Sequence, residues 1–173
     1  SSKLGMADFG LAMQYAGAPA AALGVSIEEL GTAMAIMSNN GIEASTIGTS
    51  LRSTLSRLAS PPKEAATALA ELGISAADLQ KGDGSFIGLA GAIDLLRGKM
   101  EGLSDVQQVA ALKAIAGEDA YSGLLALVKT SPEAYQQMTD AITNSSGSSH
   151  EAYTKMQDTL KGSIDALMSS VEA

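Results

Sequence analysis

The residues that could carry chemistry are few and far apart. His150 is the one histidine, set in a serine-rich stretch beside Glu151, so neither an HExxH zinc pair nor an imidazole cluster can be assembled from this chain. It reads as a solvated loop residue. Cysteine is absent, which removes disulfides, thiolate metal sites and thiol nucleophiles while leaving the compartment open. Gly82-Asp83-Gly84 lacks the further oxygen ligands of a calcium loop, and no glycine-rich phosphate loop ending in Gly-Lys-Ser or Gly-Lys-Thr occurs. Gly48-Thr49-Ser50-Leu51-Arg52 offers a serine, but it misses the second glycine of a nucleophile elbow and falls inside a helical pattern rather than after a strand. A catalytic Ser50 is therefore disfavoured. The residues predict no catalytic, metal-binding or cofactor-binding site.

The charged residues favour structural readings. Glu28-Glu29 and Glu118-Asp119 each sit near an expected helix start, where negative charge is favourable by ~0.3 to 1 kcal/mol. Arg52, Arg57 and Lys63 make the one local basic cluster, with Arg57 close to a helix end where it can bind free carbonyls. These three are the candidate partner-binding residues, weighed against a purely structural role. Gly98-Lys99-Met100-Glu101-Gly102 has GxxxG spacing, but its charges argue against membrane dimerisation. Asn144-Ser145-Ser146 is a glycosylation sequon in form only. Met34 and Met37 read as core, with an adaptable interface as the alternative.

The elements holding these residues are helical throughout, because apolar positions recur every three or four residues and no strand-like alternation persists. A first helix is expected from about Met6 to Ala16, stopping at Gly17-Ala18-Pro19. Ser26 and Glu29 form a capping box for a second, whose Ile27, Leu30, Met34 and Met37 share a face before Asn39-Asn40-Gly41 ends it. A third, roughly Glu43 to Ala59, stripes Ile47, Leu51, Leu55 and Leu58 and should pair with the second as an antiparallel hairpin. Ser60-Pro61-Pro62 stops it. Lys63 to Leu72 follows, closed by Gly73 with Ile74 folding back, and Ser75 with Asp78 starts one more short turn. After the break at Gln80 to Ser85, Leu89, Ile93, Leu96 and Met100 mark a helix, and Ser104 with Gln107 opens the next, striped by Val109, Leu112 and Ile115. Tyr121, Leu124, Leu125 and Val128 continue beyond Gly117, and Ser131-Pro132-Glu133 starts a helix carrying Tyr135, Met138 and Ile142. The resulting division is a main helical domain over 1–144, a flexible linker over 145–149, and an amphipathic helix over 150–173 with Tyr153, Met156, Leu160, Ile164, Leu167 and Val171 on one stripe.

Composition agrees with an all-α fold, a compact bundle of about seven to nine helices. In 173 residues, 46% are hydrophobic and 17% charged, enough for a buried core, while aromatics at 3% mean that core is built from Ala, Leu, Met and Gly. The net charge of -8 opposes attraction to phosphate backbones and anionic lipid, so nucleic acid is disfavoured as a partner. Phe9 to Ile27 carries no charge, yet Gly10, Gly17, Pro19, Gly24, Gln14 and many alanines argue against a membrane span. No basic n-region precedes it, so a signal peptide is disfavoured as well. Starting at Ser1-Ser2-Lys3 and ending in Ser169-Ser170-Val171-Glu172-Ala173, the chain reads as a piece of a longer protein.

Ser26-Ile27-Glu28-Glu29-Leu30 through Asn40-Gly41-Ile42-Glu43-Ala44-Ser45, Gly48-Thr49-Ser50-Leu51-Arg52-Ser53-Thr54-Leu55-Ser56-Arg57-Leu58, and Pro61-Pro62-Lys63-Glu64-Ala65 to Glu71-Leu72-Gly73-Ile74 closely resemble bacteriophage tail tape measure proteins. Gly102-Leu103-Ser104, Ala110-Ala111-Leu112-Lys113-Ala114-Ile115, Gly117-Glu118, Gly123-Leu124-Leu125-Ala126-Leu127, and Met156-Gln157-Asp158 with Leu160 and Gly162 extend the likeness in order over nearly the whole chain. Ala116 departs from it, standing where the family pattern has Phe, which would thin the packing between neighbouring helices. The resemblance implies a long, mostly helical structural protein without cofactor or small-molecule substrate. Its partners would be tail tube and tail assembly proteins and further copies of itself, with membrane contact confined to DNA delivery. It would reside in the virion tail, after assembly in the host cytoplasm, and its length would set the tail length. The alternatives are a peptidoglycan-degrading module, against which the lone His and absent Cys weigh, or a membrane-interacting module built on Phe9 to Leu23.

As one continuous helix 173 residues would reach ~260 Å, whereas a globule of that size has a radius of gyration of ~16 Å. The breaks at Gly17-Ala18-Pro19, Asn39-Asn40-Gly41, Ser60-Pro61-Pro62 and Lys81-Gly82-Asp83-Gly84 favour the compact form, because short helices with one apolar stripe must bury it against each other.

Overall fold

In this computed structural model, which describes residues 5–148, eight α-helices account for most of the chain: α1 (Met6–Ala22), α2 (Ile27–Asn39), α3 (Ala44–Ala59), α4 (Lys63–Glu71), α5 (Leu89–Met100), α6 (Asp105–Ala116), α7 (Tyr121–Lys129) and α8 (Pro132–Ser148). A short 3-10 turn spans Ala77–Leu79, and the one extended pairing among the described residues is an isolated antiparallel bridge between Gln80 and Phe86. The fold is all-α, as the periodicity requires.

Local signals place most of the boundaries. The Ser26 hydroxyl accepts from the Glu29 N–H at 3.1 Å while the Glu29 carboxylate accepts from the Ser26 N–H at 3.3 Å, so two of the donors left free at the start of α2 are satisfied. Ser104 and Gln107 repeat the exchange at α6, at 3.2 and 2.9 Å. After α4 the chain turns through Gly73 at φ +79°, and the Ile74 N–H reaches back to the Leu69 carbonyl at 2.9 Å, burying Ile74 against the helix it follows. Ser131 caps α8 through the Ala134 N–H at 3.1 Å.

α3 is the centre of the bundle. Its stripe of Ile47, Leu51, Leu55 and Leu58 is buried, and α1, α2, α6 and α7 all pack on it. Its most extensive partner is α1, while α2, expected to pair with it as an antiparallel hairpin, meets it over a smaller seam. The reason is size: a Cβ at Gly48 would lie 2.6 Å from the Ala12 carbonyl oxygen and 3.0 Å from its Cα, so only glycine there permits the approach of the two backbones. α1 also runs past the stop expected at Gly17-Ala18-Pro19. Pro19 forfeits its own N–H, but its carbonyl still accepts from Leu23 at 3.1 Å, and Ala16, Gly17 and Ala20 are buried, so packing outweighs the lost bond in this last part of the helix. α8 likewise continues to Ser148, through the first residues of the stretch read as a linker. His150 and the amphipathic segment 150–173 lie outside the described residues.

Candidate functional site

Ser50, Ser53 and Arg57 follow one another at spacings of three and four and so share one edge of α3. A helix end leaves its last carbonyls without partners, and this edge supplies them to α6. The Ser53 hydroxyl donates to the Ala116 carbonyl at 2.6 Å, and Arg57 donates through Nε to Ile115 at 2.8 Å and through Nη2 to Ala114 at 3.0 Å. One residue row further on, the fully buried Ser50 hydroxyl donates to the Ala120 carbonyl at 2.6 Å, just ahead of α7. Its hydroxyl is thus tied into packing rather than presented as a nucleophile. A Cβ at Gly123 would stand 2.1 Å from Ser50 Oγ, so the α3–α7 crossing depends on the absence of a side chain there.

Of the three cations read as partner-binding, Arg57 is drawn inward. It caps a helix, as its position suggested, but the helix is α6 rather than its own, and its Nη2 also meets the exposed Glu64 carboxylate at 2.9 Å. Arg52 stays exposed, about 140° round α3 from Arg57 by helical geometry. Lys63 is exposed at the start of α4, sharing a shallow groove with Glu64 and Glu71. The three therefore do not form one basic patch.

A second arginine does the same work elsewhere, and no local pattern points to it. Arg97 of α5 donates through Nε to the Thr130 carbonyl at 3.0 Å, beyond the end of α7, and its Nη1 meets Asp94 at 2.5 Å. Its guanidinium lies 5.9 Å from the centroid of the Tyr135 ring of α8. Here the accounting is incomplete: the buried Arg97 Nη2 and the buried Tyr135 hydroxyl both lack hydrogen-bond partners. Burial, reinforced by the Glu29 carboxylate and opposed by Arg97, pushes the Tyr135 hydroxyl well above the ordinary phenol value. Glu29 itself reaches beyond its capping box to accept from the Ala90 N–H of α5 at 3.3 Å. The acid pair Glu28-Glu29 thus begins α2 as read, with a second attachment that only the tertiary structure reveals.

The turn region carries two further carboxylates of lowered pKa. The Ser75 N–H, then its hydroxyl, hold Asp78 below the ordinary carboxylate value, and the hydroxyl and N–H of Ser85 do the same for Asp83. Gly82-Asp83-Gly84 is therefore a turn closed on Ser85. Beside it a cleft of roughly 290 Å³ runs between the end of α3, α4 and the 75–86 turn, walled by Leu58, Leu69, Leu79 and Phe86. Among the described residues no three His, Cys, Asp or Glu side chains are grouped to hold a metal ion, and no helix is long and apolar enough to cross a membrane. Among the described residues the exposed large apolar side chains are Met6, Leu11 and Tyr15 of α1 and Val106 of α6.

Residues 1–117 match the profile of the family described as phage-related minor tail protein. The chain is 35% identical over 166 residues to the tape measure protein of Pneumococcus phage Dp-1, covering 96% of this chain and 14% of that protein. It is 33% identical over 170 residues to the probable tape measure protein of Escherichia phage P2, covering 98% of this chain and 20% of the relative. The chain thus corresponds to a small part of the length of either relative. No solved structure matches it.

Proposed function

The chain belongs to the phage-related minor tail protein family, and from that premise we propose that it is a folded helical domain of a tape measure protein, a structural component of a phage tail that acts by shape and by contacts with tail tube and assembly proteins. The observation that carries this reading is the likeness to two tape measure proteins over nearly the whole of this chain. The internal chemistry supports a non-catalytic role: Ser50 and Arg57, which the sequence singles out, and Ser53 between them are spent on the carbonyls that join α3 to α6 and α7. Contact with tail partners falls to exposed groups, among them Arg52 and Lys63, while Arg57 contributes by holding the scaffold. The domain works in the virion tail after assembly in the host cytoplasm. In-frame deletion of this segment within the phage, with tail lengths measured by electron microscopy, tests the proposal. Tails shortened by ~1.5 Å per deleted residue mean that the segment lies extended as part of the ruler, and tails of normal length that assemble poorly mean that it acts as a compact domain. Normal assembly, tail length and infectivity together would overturn the proposal.

A further inference from the structure

The packing repeats itself. When each of α1–α4 is exchanged with the helix four places later, the main contacts map onto one another: α2 packs on α8 as α6 packs on α4, α3 on α6 as α7 on α2, and α1 on α3 as α5 on α7. The local chemistry recurs in the same order. A capping box opens α2 at Ser26 and α6 at Ser104, and a glycine of positive φ (Gly41 or Gly117) precedes α3 and α7. α3 and α7 cross each other, and they do so where Ser50 of Ser50-Leu51 meets Gly123 of Gly123-Leu124. Contact between the equivalent helices α3 and α7 is what a two-fold axis produces. The domain is thus two related four-helix halves, and each half lays its last helix on the other: α4 on α6, α8 on α2.

From this arrangement we infer that α8 is an exchangeable arm, and that a second copy of this chain takes it into its own α2 groove. The receiving surface is already the interface between the two halves, so the exchanged form uses the contacts present within one chain and needs no new ones. α8 is also the last described helix, with nothing but a short connection tying its start to α7. Its one extensive seam is with α2, and its docking leaves both the Tyr135 hydroxyl and the neighbouring Arg97 Nη2 without partners. Between α7 and Pro132 the chain is extended at Thr130, ψ 129°, and the cap on Ser131 lies within α8's own first turn, so the helix can leave intact.

The absence of cysteine makes the exchange directly readable. A Cβ at Gly31 of α2 would lie 3.4 Å from Ile142 Cγ2 of α8, so Gly31→Cys and Ile142→Cys face each other across the seam. The double variant should close an internal disulfide on oxidation, which verifies the seam. The two single variants are then unfolded in denaturant, refolded together at high concentration and oxidised. Disulfide-linked dimers are expected in the mixture, absent from either variant alone, and lost when refolding is done at high dilution. An internal disulfide in the double variant with a mixture that stays monomeric would overturn the inference. Should the double variant fail to fold, light scattering on the unmodified chain refolded at high concentration decides: dimers that revert to monomers on dilution and refolding support the arm, and monomers alone overturn it. Neither readout depends on the role of the chain in the tail.

Discussion

Arg57 and Arg97 solve the same problem in two places, and only one solution is complete. Each reaches from one helix to carbonyls at the end of another, α3 to α6 and α5 to α7. Around Arg57 the donors are matched: three carbonyls of α6 are taken by Ser53 and Arg57, and Glu64 covers the remaining charge from solvent. Around Arg97 an N–H and a phenol are buried without partners, although an aromatic ring lies close to the guanidinium. A buried donor left unpaired costs about 1 to 3 kcal/mol, so the same device stabilises the centre of the bundle more than its α8 side. The two arginine sites are therefore graded, closed at Arg57 where α3 meets α6 and open at Arg97 where α8 begins, while the buried Thr54 hydroxyl on α3 is a third group without a partner.

That gradient can be broken at its strong end first. Leu51 and Leu55 are fully buried on α3, so Leu51→Asp or Leu55→Asp places an unpaired charge in the core and should lower stability by at least ~3 kcal/mol in chemical denaturation, with loss of folding as the extreme result. Gly48→Ala follows, since the added methyl meets backbone rather than a movable side chain; thermal unfolding should report a loss of about 1 to 3 kcal/mol. Removing the two arginines compares the regions directly. Arg57→Met strands the carbonyls of Ala114 and Ile115 and should cost about 2 kcal/mol, whereas Arg97→Met removes an unpaired donor together with its bonds and should cost about half as much. Equal losses at the two sites would show that the regions are held equally well.

The gradient also separates what the sequence reveals from what it hides. Ser26 with Glu29, Ser104 with Gln107, and Gly73 with Ile74 act within a few residues of themselves, and their spacing alone predicts the bonds they make. The buried stripe of α3 is legible for the same reason. Arg57 is different: a helix-capping role is readable from its position, but its acceptors are more than fifty residues away, and nothing local distinguishes them from the carbonyls of its own helix. Pro19 misleads because the rule that proline ends helices weighs one hydrogen bond and omits the α1–α3 packing that carries the helix on to Ala22. The pairing of α3 with α1 was hidden in Gly48, whose value is a close approach that no single-chain periodicity encodes. Arg97 and Tyr135 are likewise silent as a pair, being brought together only where Arg97 of α5 reaches the Thr130 carbonyl just ahead of α8.

The smallest effect is the most telling, because it has the opposite sign. Tyr135 is 8% exposed, and its hydroxyl is buried without a partner, so Tyr135→Phe removes a desolvated polar group while keeping the ring that packs beside Arg97. Deleting such an oxygen should leave stability near pH 7 unchanged or raise it by up to about 1 kcal/mol, where truncating a bonded hydroxyl such as Ser50 to alanine should lower it. The pH dependence supplies an independent check. Burial raises the folded pKa of Tyr135 above its ordinary value of 10.0, so its contribution is fully present below that pH and is lost as the pH rises through it toward the folded value, because the unfolded chain ionises first. Tyr135→Phe should therefore flatten the loss of stability above about pH 10, measured by denaturant titration across the alkaline range. A loss of stability on Tyr135→Phe at neutral pH would mean that the hydroxyl is bonded after all, and the contrast between a closed Arg57 site and an open Arg97 site would fail with it.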